Sequence, residues 1–170
     1  MTGKTLVLGL GNVLLSDEAV GAVALRRLES ECGPDSSSGS PVELIDGGTL
    51  SFTLALPIAE CERLIVIDAA ALGEPPGTVR VFEDEAMDRQ LGRHANGVHQ
   101  VGIADLMAIA RLTDTLPRRR ALIGIEPAVV DWRGGLTPQV EAALPRVLSR
   151  VRELMRRWDL ETAHPVRQEG

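Results

Sequence analysis

The sequence predicts an α/β fold built on a mostly parallel sheet, and three observations carry that expectation. Compact apolar runs recur at "KTLVLGLG", "VELIDGG" and "RLIVID", the first rich in Leu and Val and stopped by glycines, as a strand buried on both faces is. Helical patterns separate these runs, and β-α-β-α-β alternation implies parallel strands joined by right-handed crossovers. Only "AAALGEPPG" then precedes "TVRVFE", which is too short for a crossover helix, so the fourth strand is expected to be antiparallel.

The elements follow in order. The first strand ends at Gly9 and Gly11. Ser16 stands where an N-cap would, and Val20, Val23, Ala24 and Leu28 form a stripe at i, i+3, i+4 and i+8 that a sheet-packed helix requires. That stripe runs out near Ser30. The stretch from Cys32 to Pro41 is serine-rich and turn-forming, and reads as a mobile surface loop. The second strand ends at Asp46, a short helix is expected around Ser51 to Glu60, and the third strand ends at Asp68. "HQVGIADLMAIARL" predicts a helix with Val101, Ala104, Leu106 and Ile109 among its apolar positions, and "RRALIGIEP" a fifth strand. Thr137 and Pro138 open the last helix as cap and first-turn proline, and Val140, Leu144, Val147, Val151 and Leu154 supply its buried face. Pro145 lies inside it and should kink it. The residues after Trp158 are polar and should fray, giving one domain over residues 1–158 and a tail over 159–170.

Charge and cysteine content exclude several classes. The 18 basic and 24 acidic residues leave a net charge of -6, so no basic field exists to displace counterions from nucleic acid. The two cysteines, Cys32 and Cys61, form neither a disulfide framework nor a C-x-x-C thiolate site, which fits a reducing cytoplasm. No stretch is apolar for long enough to span a bilayer, and no signal-peptide cleavage site follows the first strand. No membrane partner is therefore expected.

Acids collect where the strands end. In open α/β sheets ligands bind outside the carboxyl ends of the strands, and Asp17 and Glu18 follow the first strand, Asp46 ends the second and Asp68 the third. Such acids would repel one another unless a cation compensated them. Each has a plainer explanation. Asp17 and Glu18 suit the first turn of a helix, although Ala19 stands where a capping box would place Glu or Gln. Asp46 before two glycines suits an Asx turn. Asp68 emerges from a buried run into "AAA", where an acid without a partner is costly to desolvate. His94 and His99 lie in the loop "RHANGVHQVG", and His164 in the tail. Two carboxylates and an imidazole would suit zinc, nickel or iron better than calcium or magnesium, with His99 and His94 as competing candidates for the imidazole. Other signatures fail. Leu14 occupies the third glycine position of a dinucleotide fingerprint, and G-x-S-x-G, H-E-x-x-H and Walker A motifs are missing.

Taken together, "LVLGLGNVLLSDEAVG", "ELIDGGT", "LIVIDAA", "HQVGIADLMA", "GIEP" and "GLTPQVEAAL" resemble the maturation endopeptidases of nickel-iron hydrogenases, in register from about Lys4 to about Leu154. The resemblance implies a three-layer α/β/α sandwich around a five-stranded mixed sheet with one antiparallel strand. It implies removal of a C-terminal extension from a hydrogenase large-subunit precursor after nickel insertion. Residue by residue, it matches Glu18, Asp68 and His99 to the family's metal contacts, with nickel supplied by the substrate. Asp46 matches the aspartate of the family's D-G-G segment, implicated in substrate selection or cleavage, and Asp17 would remain a helix-terminus acid. Alternatives are a peptidase with its own zinc, a non-catalytic nickel checkpoint or chaperone for the same precursor, and a small-molecule hydrolase or nucleotide binder on the same fold.

Overall fold

The protein is described here as a computed structural model covering residues 3–31, 40–48, 52–93, 102–132 and 134–163. Five strands form one sheet: β1 (Thr5–Leu10), β2 (Val42–Gly48), β3 (Arg63–Ala69), β4 (Val79–Glu83) and β5 (Arg119–Ile125). Their order is β2-β1-β3-β5-β4, with β1 parallel to β2 and β3, β3 parallel to β5, and β4 antiparallel to β5. The short β3–β4 connection thus has the consequence expected of its length.

Alternation along the inner strands divides the core in two. Val7, Ile65, Ile67, Ile123 and Ile125 face α1 (Val20–Glu31) and α5 (Pro138–Ala163). Leu6, Leu8, Leu64, Val66 and Leu122 face the layer of α2 (Ala55–Glu60), α3 (Glu85–Arg93) and α4 (Ile103–Leu112). This is the three-layer sandwich. Among the described residues no helix is long and apolar enough to cross a membrane.

Glycine sets how closely α1 approaches the sheet. A Cβ on Gly21 would stand 2.2 Å from the Leu10 carbonyl oxygen and 2.3 Å from that of Ile67, so only a bare backbone lets α1 start against β1 and β3. That contact fixes the segment before α1 beside the carboxyl ends of both strands.

Several local expectations change. Ser16 caps no helix: a 3-10 turn over Ser16–Ala19 precedes α1, and the Ser16 hydroxyl donates to the Asp131 carbonyl at 2.8 Å. A distant loop wins the hydroxyl. Helix α3 was not foreseen, because it is short and buries only Met87 and Gln90. In α4 the buried positions are Ile103, Leu106, Met107 and Ala110, whereas Ala104 and Ile109 are only partly buried. Leu106 is thus buried as its place in the apolar pattern suggests, and Val101 lies outside the described residues. All five expected core positions of α5 are buried, joined by Ala143, Leu148 and Trp158. The helix passes through Pro145 and continues to Ala163, so residues 159–163 are not a frayed tail. Arg63 explains that, binding the Asp159 carboxylate, the Trp158 carbonyl and the Thr162 hydroxyl. The expected loop over residues 32–39 and the tail over 164–170 lie outside the described residues.

Candidate active site at the carboxyl ends of β1 and β3

The strand order makes a switch point. From β1 the chain crosses one face through α1 to reach β2, then crosses the other face through α2 to reach β3 on the opposite side of β1. A crevice opens where the connections diverge, outside the carboxyl ends of β1 and β3. Glu18 comes to it from the turn after β1 and Asp68 from the end of β3.

Neighbouring acids meet opposite fates here. Asp17 is fully buried, and it does more than decorate a helix terminus. Its carboxylate accepts from the backbone N–H groups of Ala128, Val129 and Thr137 at 2.8, 3.0 and 2.7 Å, and from the Thr137 hydroxyl at 2.8 Å. Burial alone would push this carboxyl up, but those hydrogen bonds outweigh it and hold the group below the ordinary carboxylate range. Asp17 therefore ties the turn after β1 to the loop after β5. The Asp17 backbone N–H adds a bond to the Val129 carbonyl at 3.2 Å.

Glu18 has no comparable partner. Its Oε2 is buried and unpaired among the described residues, a condition that costs free energy unless something external satisfies it. Gly11 fixes the backbone there: its φ is +122°, and a Cβ on it would lie 1.7 Å from the Glu18 carbonyl oxygen. Only glycine fits.

Asp68 lies on the sheet face of Leu64 and Val66, the last strand residue but one before "AA". Burial pushes its carboxyl up to about 7, the Ala69 backbone N–H opposes this, and the charge of Glu18 adds to it. Glu18 is thus close enough for its charge to disfavour ionisation of Asp68. Among the described residues no Lys or Arg pairs with either. A divalent cation would satisfy the orphaned oxygen and remove the penalty on Asp68, so this donor set fits a metal centre. No group of three potential ligands occurs among the described residues. His99 and the competing His94 lie outside them, as does His164.

Asp46 is placed differently. It is exposed at the end of edge strand β2, pairs with Gly9, and accepts from the Gly48 N–H at 3.0 Å, which is the expected Asx turn. By alternation along β2 it leaves the sheet on the α1 side, with Leu44, whereas Asp68 leaves on the other. The structure assembles Glu18 with Asp68, and holds Asp46 apart at the rim.

Glu126, in "GIEP", is a further acid that its sequence context did not single out. Its Oε2 accepts from the backbone N–H groups of Leu72 and Glu74, pinning the loop that follows Asp68. Its position directly after a strand, within one of the segments that carry the family resemblance, is the signal the sequence gives. Cys61 is buried, and burial pushes its thiol up to about 12, which leaves no reactive thiolate.

Comparison with known proteins adds a second line of observation. The family model described as HycI, hydrogenase maturation protease, matches residues 25–154. The hydrogenase 2 maturation protease of Escherichia coli is 37% identical over 156 residues, covering 88% of this chain and 92% of that protein. The hydrogenase expression/formation protein HoxM of Cupriavidus necator is 34% identical over 152 residues, covering 89% and 73%. Among solved structures, the hydrogenase maturating endopeptidase HybD from E. coli superposes with a TM-score of 0.80 at 34% identity, covering 91% of this chain and 93% of that one.

Proposed function

The chain belongs to the hydrogenase maturation protease family and is an endopeptidase of that kind, and on that premise we propose that it removes the C-terminal extension of a nickel-loaded hydrogenase large-subunit precursor in the cytoplasm. Glu18, Asp68 and His99 read the nickel already seated in the substrate. The observation that carries this reading is the pairing of an orphaned, buried Glu18 Oε2 with an Asp68 whose carboxyl is raised to about 7. A protein holding two carboxylates in this state favours a cation that arrives with its partner. Specificity follows, because a precursor without metal leaves the penalty in place.

Binding the substrate through its metal would fix one peptide bond relative to the rim of the crevice. Asp46, exposed and held in its turn by Gly48, is the carboxylate proposed to act on that bond, as base for an attacking water. Its Asx turn also places Gly48 beside it, where a Cβ would meet nothing within 4 Å among the described residues and a peptide has room to approach.

Intact-mass spectrometry of the cognate precursor tests this, with and without nickel, against wild type, Glu18→Gln and Asp46→Asn. A discrete C-terminal mass loss is expected only with nickel. Glu18→Gln should lose more than the ~10–100-fold typical of residues one step behind a metal contact. Cutting of nickel-free precursor by protein that retains zinc through purification would replace the substrate-metal reading with a resident-metal peptidase. Unchanged cutting by Asp46→Asn would remove Asp46 as base.

A further inference from the structure

Apolar side chains are exposed around this crevice in a pattern that packing does not require. Val13 and Leu14 stand out from the turn after β1, and Val129, Val130 and Trp132 from the loop after β5, with Trp132 74% exposed. Single exposed apolar residues are ordinary on any surface, and Val42, Leu112 and Leu160 are of that kind here. These five fall on two loops that are held side by side. Ser16 and Asp17 tie their two loops together, through Ser16 Oγ to the Asp131 carbonyl, Asp17 N to the Val129 carbonyl, and the Asp17 carboxylate to the N–H groups of Ala128 and Val129. The result is a fixed apolar shelf one residue away from Glu18.

We infer that this shelf is the docking surface for the precursor, and that it receives the apolar surface immediately surrounding the precursor's nickel. The inference rests on the function proposed above and names where its substrate sits. Charge decides the occupant. An apolar shelf bordering two carboxylates without a cation is complementary to a face that carries a positive centre in an apolar surround, and a second copy of this acidic chain would bring like charge instead. Fixation supports the same conclusion: loops pinned by a buried carboxylate lose little freedom on binding, and a shelf built this way is preorganised for its partner. Trp132 is its anchor, since a rigid exposed aromatic at the edge of a binding crevice is the residue type that dominates interface energies.

Two measurements test it together. The chain has two tryptophans, Trp132 and the core residue Trp158, which is 1% exposed. In protein labelled with 5-fluorotryptophan, titration with unlabelled nickel-loaded precursor should move the Trp132 fluorine resonance and abolish its solvent isotope shift. Trp158 should stay in place as an internal control, and Trp132→Phe assigns the two signals. In processing assays Trp132→Ser and Val130→Ser should each raise KM about tenfold while leaving kcat within about twofold, the mark of a binding contact away from the chemistry. Trp132→Phe should recover most of the loss.

A Trp132→Ser protein that cuts with the wild-type KM overturns the inference, as does cutting with no change at the Trp132 resonance. Either leaves the proposed activity standing. Conversely, a wild-type protein that shields Trp132 with precursor yet never cuts it would sink the proposed activity and keep the docking surface. Sedimentation closes the remaining route: if Trp132→Ser converts a dimer to a monomer with KM unchanged, the occupant is a second copy and the inference is wrong.

Discussion

At the amino end of the sheet Arg63 enters the protein almost completely, 4% exposed, and meets a carboxylate, a carbonyl and a hydroxyl from α5. At the carboxyl end Glu18 Oε2 has no hydrogen-bond partner among the described residues, and Asp68 sets one backbone N–H, that of Ala69, against its burial and the charge of Glu18. Strand direction explains much of the contrast. Parallel β3 and β5 begin with arginines, and antiparallel β4 runs the other way and delivers Glu83 and Asp84 to the same end. Arg119 then binds Asp84 at 2.8 Å, and Arg120 binds Asp88 of α3 through two nitrogens at 2.9 and 2.7 Å. Arg120 holds the Asp88 carboxyl below its usual range. One end thus uses charge for stability, and the other leaves charge uncompensated, which is the usual signature of a site that awaits a ligand.

Breaking each end should therefore have opposite effects. The largest is expected for Arg63→Ala, which strands the Asp159 carboxylate and the polar groups around it and should lower unfolding free energy by about 3–5 kcal/mol in urea denaturation. A loss no larger than that of an exposed ion pair would make the amino-end network ornamental. Asp17→Ala, at the carboxyl end but fully partnered, should behave like the amino end. It leaves three backbone N–H groups and a hydroxyl unpaired and should cost about 3 kcal/mol. It should also loosen the loop after β5, detectable as faster amide exchange at Ala128 and Val129.

Asp68→Asn sharpens the comparison most, because its sign is reversed. With the folded carboxyl at about 7 and an unfolded value near 3.8, the folded state binds the proton more tightly, so stability falls as pH rises from about 4 to about 7. The neutral amide removes that penalty. In metal-free protein Asp68→Asn should raise stability at pH 8 by about 1–3 kcal/mol, within a ceiling of about 4 set by the gap between the two values. Near pH 4 the two proteins should unfold alike. A destabilised Asp68→Asn at pH 8 would mean that the ionised carboxylate has a partner and that the two ends are not opposites.

Sequence alone carried the sheet and its two longest helices, because those depend on local periodicity and on connection length. "AAALGEPPG" could not hold a crossover helix, and β4 is antiparallel accordingly. The acids at strand ends were also legible, since Glu18 and Asp68 are placed by strand order alone. The roles dividing those acids were not. Nothing near Asp17 distinguishes it from a helix-terminus acid, because its partners lie at residues 128, 129 and 137. Ser16 was misread for the same reason. Helix α3 escaped notice because much of its hold on the molecule is Asp88 with Arg120 and Arg111, and pairings across the fold leave no periodic trace.

The bonds at Asp17 also impose an order in time. They join residues 111 to 120 positions apart, and those on the far side hang from the end of β5, the last strand of the chain to be made. Contacts that close so long a loop form after the local ones that bring their ends together. During synthesis β1, α1 and β3 can already be paired while the groups that fix the turn beside Glu18 have yet to leave the ribosome. A nascent chain would hold both acids of the crevice before it held them in position, and the protein would become competent only when its final quarter arrives.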